Sequence, residues 1–161
     1  MRIAVVGCGS WGTVFGGLLR DRGHDVTLAC RDAQQARAIA ETGRNPRYAK
    51  TVDLKGVGAV HLGELPSDPE LIVMAVPSRA FADVAASLPG SAPVLSLTKG
   101  LDPATGERLS TRVTGRRVAV LSGPNMAEEI ADGLPTATVI ASEDPELAEE
   151  LQDAILSLIH I

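Results

Sequence analysis

Short apolar runs alternate with stretches of helical spacing along this chain. Arg2-Ile3-Ala4-Val5-Val6 opens it as a buried strand, and about residues 11–21 read as the helix that follows. Asp25-Val26-Thr27-Leu28-Ala29-Cys30 is the second strand, after which Asp32 is placed to cap a helix carrying Ala33, Ala36, Ile39 and Ala40. Residues 43–56 are polar and irregular. Val57 to Leu62 is a short strand, and Leu71-Ile72-Val73-Met74-Ala75-Val76 a central one ended by Pro77. Ser78 starts a helix with Ala80, Phe81, Val84 and Ala85 on its apolar side. Val94–Leu97 and Val118–Leu121 are further strands, closed by Thr98-Lys99-Gly100 and Ser122-Gly123-Pro124. A helix is expected from near Asn125, a last strand over Thr136–Ala141, and a final helix opened by Asp144-Pro145-Glu146.

This β-α alternation predicts an α/β fold over residues 1–161: a Rossmann-like, doubly wound, mostly parallel sheet with helices on both faces. Right-handed crossovers gather the loops after the strands along one sheet edge, and ligands of such folds bind there. The residues to weigh are therefore those at strand C-termini. There is no internal repeat.

The first of these loops is Gly7-Cys8-Gly9-Ser10-Trp11-Gly12, a G-x-G-x-x-G turn between a strand and a helix. That is the setting in which the motif holds a dinucleotide diphosphate. Gly7 allows the tight turn, Gly9 leaves room for phosphate oxygens, and Gly12 lets the helix pack close to the strand. The helix N-terminus then presents free N–H groups and a positive dipole end to the anion.

Composition supports this class. The chain is 45% hydrophobic but 2% aromatic, so its core is built from Val, Leu, Ile and Ala. A net charge of −5 without a basic tract argues against nucleic acid or an anionic membrane as partner. No segment is long and apolar enough to cross a bilayer, and the expected compartment is the cytoplasm. Cys8 and Cys30 lie outside any CxxC or Cys/His cluster, so no metal site is expected. Their count permits a disulfide, but a cytosolic setting predicts free, buried thiols.

Five further positions carry candidate chemistry. Arg31, just past the second strand, stands where NAD-preferring folds place an acidic residue for the ribose hydroxyls. A guanidinium there clamps a 2′-phosphate, which favours NADP over NAD; stacking on adenine is the alternative, and Asp32 is adjacent. Trp11 either packs as core, in which case its indole N–H needs a partner, or walls the cleft. Lys99 is either an exposed loop lysine or a cation for phosphate, oxyanion or proton. Gly123 permits close approach of a ligand, and Asn125 either caps a helix or faces substrate. His24, His61 and His160 have no evident Asp or Ser partner, so no hydrolytic triad is suggested.

Taken in order, Gly7-Cys8-Gly9-Ser10-Trp11-Gly12, Asn45-Pro46-Arg47-Tyr48, Ser96-Leu97-Thr98-Lys99-Gly100-Leu101 and Leu121-Ser122-Gly123-Pro124-Asn125-Met126-Ala127-Glu128-Glu129-Ile130 resemble the bacterial NAD(P)-dependent glycerol-3-phosphate dehydrogenase family. The resemblance covers about residues 1–153. It implies interconversion of dihydroxyacetone phosphate and sn-glycerol 3-phosphate with NADP(H) or NAD(H), for phospholipid synthesis. By the same resemblance the cofactor touches Ser10, Trp11, Arg31, Tyr48 and Ala127, and Lys99 touches both cofactor and substrate. Gly123 and Asn125 line the substrate side. The family's second, helical domain, with its general acid/base lysine, is not found within residues 1–161, and Leu158-Ile159-His160-Ile161 does not match the family's continuation. The expectation is a chain that binds cofactor but turns over poorly, with self-association through uncovered apolar surface or as a homodimer. The competing expectations are a non-catalytic dinucleotide-sensing module, or another two-domain dehydrogenase such as a ketopantoate reductase.

Overall fold

A computed structural model describes residues 1–155. Leu158–Ile161, including His160, lie outside the described residues. Seven strands form one sheet in the order β3-β2-β1-β4-β5-β6-β7. They are β1 (Arg2–Val6), β2 (Asp25–Cys30), β3 (Gly58–His61), β4 (Leu71–Met74), β5 (Val94–Ser96), β6 (Val118–Ser122) and β7 (Val139–Ser142). The helices are α1 (Ser10–Asp21), α2 (Ala33–Thr42), α3 (Ser78–Ser87), α4 (Ala127–Ala131) and α5 (Pro145–Ile155). β1 pairs in parallel with both β2 and β4, so the order reverses direction between β1 and β4. That reversal opens a crevice at the carboxyl edge.

The apolar runs are continuous because each central strand is covered on both faces. Ile3 and Val5 of β1 point into a core shared with Phe15 and Leu19 of α1, Ile39 of α2 and Leu147 of α5. Ala4 and Val6 point the opposite way, toward Phe81 of α3. Fully buried side chains of this size each contribute about 1.5–3 kcal/mol before the entropy of ordering is subtracted.

Three details add to or correct the sequence expectations. β7 begins at Val139 and runs antiparallel to β6. The α4 helix before it has five residues, about 7.5 Å of rise, against about 16 Å for the five-residue β6. A helix that short does not return the chain to the amino edge, so the next strand starts where the last one ended. Asn125 does not cap α4, whose N-cap is Met126. Finally, Cys8 and Cys30 are joined in a disulfide rather than left as free thiols. The parallel register sets Val6 beside Ala29, and the Gly7 N–H donates to the Ala29 carbonyl. Cys30 is one residue past Ala29 and Cys8 two past Val6, where the chain has turned, and their Cα atoms are 5.2 Å apart, within disulfide reach. The compartment argument had addressed the redox setting and not this proximity.

Candidate functional site

The glycine turn leaves β1 and enters α1 at the crevice. Gly7 has φ +111°, and a Cβ there would meet the Ala75 carbonyl oxygen at 2.4 Å. A Cβ on Gly12 would lie 1.9 Å from the Gly7 carbonyl oxygen, so α1 sits directly against the turn. Gly9 differs: a Cβ there would meet nothing within 4 Å. The two flanking glycines are thus required by packing, whereas the middle one faces open space. No side chain caps α1, whose first internal hydrogen bond runs from the Thr13 N–H to the Gly9 carbonyl. The N–H groups of Ser10, Trp11 and Gly12 precede that bond, so they are the amides that the first turn of a helix leaves without an intrahelical acceptor.

Trp11 is half-buried and packs edge-on against Phe15 with ring centroids 5.7 Å apart. Its indole N–H is buried without a partner among the described residues. An orphaned donor and an open glycine beside a helix N-terminus fit an anionic, hydrogen-bond-accepting ligand.

The turn is held from below by a buried polar network. The Cys8 carbonyl accepts from Gln35 Nε2 at 2.8 Å and Asn45 Nδ2 at 3.0 Å. Asn45 Nδ2 also donates to Thr13 Oγ1 at 2.7 Å. Asn45 Oδ1 accepts from Gln35 Nε2 and from the N–H groups of Arg47 and Tyr48. Asn45 therefore ties the glycine turn to the loop that presents exposed Tyr48. Gln35, Thr13 and Asn45 were not among the expected site residues. The polar cluster Asn45-Pro46-Arg47-Tyr48 was the available signal for Asn45; nothing in the sequence pointed to the other two. Asn45→Leu leaves the Arg47 and Tyr48 N–H groups without their acceptor and is expected to cost about 3 kcal/mol. Urea unfolding of the variant chain measures that loss.

Arg31 is exposed at the end of β2. Asp32 beside it is already engaged. One of its carboxylate oxygens caps α2 through the Gln34 and Gln35 N–H groups, and the other pairs with Arg47. The two backbone hydrogen bonds, then Arg47, hold its carboxyl below the usual aspartate range. A carboxylate so occupied is not the partner of Arg31, which has no ion pair among the described residues.

Across the crevice, Thr98 Oγ1 donates to the Val76 carbonyl at 2.8 Å and ties the ends of β4 and β5. Lys99 Nζ donates to Asn125 Oδ1 at 3.0 Å. Asn125 Nδ2 donates to Thr138 Oγ1 at 2.9 Å, and Thr138 Oγ1 donates to the Ser122 carbonyl at 2.9 Å. This relay orients the amide so that its oxygen faces the ammonium. Partial desolvation pushes the Lys99 pKa below that of a free lysine. Gly123, at φ +142°, lets the segment before β7 pass close, since a Cβ there would meet the Ala137 carbonyl oxygen at 2.3 Å. Ala127 opens α4, which lies against α1. The expected residues thus gather along one edge, with Gly7–Gly12, Arg31 and Tyr48 on one side and Lys99, Gly123 and Asn125 on the other. Thr138 is an addition that lay hidden in a strand-like run.

A mostly parallel sheet reversing at β1/β4, with an open glycine turn at the reversal, defines a dinucleotide-binding domain of the dehydrogenase type. Residues 2–148 match the family described as NAD-dependent glycerol-3-phosphate dehydrogenase N-terminus, and the chain belongs to that family. It is 44% identical to a glycerol-3-phosphate dehydrogenase [NAD(P)+] of Nocardia farcinica, over 95% of this chain and 50% of that protein. A protein of the same name from Ectopseudomonas mendocina is 43% identical, over 95% and 48% respectively. The crystal structure of glycerol-3-phosphate dehydrogenase from Coxiella burnetii superposes with a TM-score of 0.85 at 29% identity, covering 95% of this chain and 50% of that one. The chain spans about half the length of the curated relatives it matches. NAD(P) is the cofactor of this family.

Proposed function

We propose that this chain is the cofactor-binding part of a glycerol-3-phosphate dehydrogenase, interconverting dihydroxyacetone phosphate and sn-glycerol 3-phosphate. The observation that carries the reading is the Lys99–Asn125 pair at the same edge as the open glycine turn. The amides of Ser10 and Trp11 bind the diphosphate, and Tyr48 and Ala127 flank it. Arg31, with Asp32 engaged by Arg47, takes a 2′-phosphate and favours NADP over NAD. When bound, the nicotinamide supplies hydride to the ketone carbon. Lys99 then sets its positive charge beside the ketone oxygen, where negative charge develops, and Asn125 keeps that ammonium in place. Gly123 leaves the backbone open to the substrate.

Exposed Leu101, Met126, Leu134 and Val139 lie around the carboxyl ends of β5 and β6. In this reading they seat a second domain or a second copy of the chain. The working compartment is the cytoplasm, and no described helix is long and apolar enough to cross a membrane.

Calorimetric titration with NADPH and NADH, each with and without dihydroxyacetone phosphate, tests the proposal. NADPH is expected to bind more tightly than NADH, and the substrate to tighten it further. Absence of any substrate effect would remove the dehydrogenase reading in favour of a sensing module. The lowered Lys99 pKa gives a second check. An anion needs the charged ammonium, so substrate-dependent affinity falls as pH rises toward, but below, the free-lysine value of about 10.4. Lys99→Ala should lose both the substrate effect and this alkaline limb.

A further inference from the structure

We propose that Cys8 and Cys30 are a redox modification site that sets how tightly the glycine turn holds its dinucleotide; the idea rests on the cofactor reading above. Cys8 lies between Gly7 and Gly9, inside the diphosphate cradle. Cys30 is the last residue of β2, one position before Arg31. Their bond therefore joins the part of the site that receives the diphosphate to the part that receives the ribose. In a cytoplasmic protein such a bond is a sensing or transient element more often than a permanent staple.

The two ends are not equally fixed. Cys30 belongs to a strand paired on both sides, with β1 and with β3, and its register partner is His61. Cys8 lies in the turn, and its carbonyl is held by the side chains of Gln35 and Asn45. The Cys8 and Cys30 side chains sit in the same close-packed core cluster. Two free thiols need more room between sulfurs than two bonded ones. In a core without slack, that room comes from the turn and not from the sheet. Reduction thus shifts the cradle relative to Arg31, and oxidation holds it in the open arrangement described above.

The exchange chemistry is balanced with a small-molecule disulfide of the glutathione type as oxidant. Cys8, 6% exposed against 0% for Cys30, is the point of entry. Its thiolate attacks one sulfur of the small disulfide, breaking that S–S bond and releasing one small thiolate. The Cys30 thiolate then attacks Cys8 Sγ and expels the second. Two electrons pass from the cysteine pair to the small disulfide, and the two protons lost by the cysteines end on the released thiols. By linkage, if the oxidised chain binds dinucleotide more tightly, the dinucleotide resists reduction of the bond by the same factor.

The test equilibrates the 161-residue chain in buffers of reduced and oxidised dithiothreitol, counts free thiols by alkylation and mass spectrometry, and titrates NADPH against the fluorescence of Trp11. The oxidised chain is expected to bind NADPH at least fivefold more tightly. Saturating NADPH is expected to move the thiol–disulfide midpoint by the matching factor. Cys30→Ala should bind NADPH as the reduced chain does, whatever the buffer; Cys30→Ser serves if the alanine variant fails to fold. Equal NADPH affinity of the two forms, or thiols that stay free in the oxidising buffer, would overturn the proposal alone. No NADPH binding in either form would overturn the cofactor reading as well.

Discussion

Valine at position 9 is expected to leave the chain folded and to weaken NADPH binding by at least about 100-fold. The backbone of Gly9 is extended, at φ −76° and ψ −174°, a conformation open to any residue. Its Cβ would meet no protein atom within 4 Å, so the core does not register the change. Loss of glycine at an N-cap costs at most about 1 kcal/mol. The added isopropyl group instead fills the space assigned to the phosphate oxygens and screens the amides of Ser10 and Trp11. Circular dichroism melting together with NADPH calorimetry separates the two effects: an unchanged melting temperature with lost binding is the expected pair of results. Retained binding in Gly9→Val would place the diphosphate elsewhere.

Alanine at position 12 should do the reverse. Its Cβ would lie 1.9 Å from the Gly7 carbonyl oxygen and 3.2 Å from the Ala75 Cβ. The first contact is with backbone of the turn, so relief requires moving α1 away from β1. Overpacking of this kind costs about 3 kcal/mol. For a domain of this size that lowers the melting temperature by roughly 6–12 °C. Thermal unfolding of Gly12→Ala measures it, and a melting temperature within 2 °C of the parent, on the order of the effect of 1 kcal/mol, would contradict the packing account.

The contrast between these two glycines also marks how far the sequence was legible. The turn, the strand before it and the helix after it were all readable, because each is a local pattern. So were the parallel core strands, whose unbroken apolar runs follow from burial on both faces. The direction of β7 was not readable, since it depends on how little of the segment after Asn125 becomes helix. Asn125 itself was open between cap and ligand; only the fold brings Lys99 and Thr138 to its two ends. Asn45 could be singled out as part of a polar motif, yet its grip on the Cys8 carbonyl spans 37 residues of sequence and leaves no periodic trace. The Cys8–Cys30 pairing arises from the β1–β2 register together with the turn that follows β1, which composition does not encode.

The most direct test is an NMR titration of the isotope-labelled chain with NADPH, following the backbone amides. Binding at the cradle predicts the largest shifts at Gly9, Ser10, Trp11 and Gly12, with smaller ones at Arg31 and Lys99. Saturable binding that leaves the Gly9–Gly12 amides unmoved, or no binding at all, would contradict it.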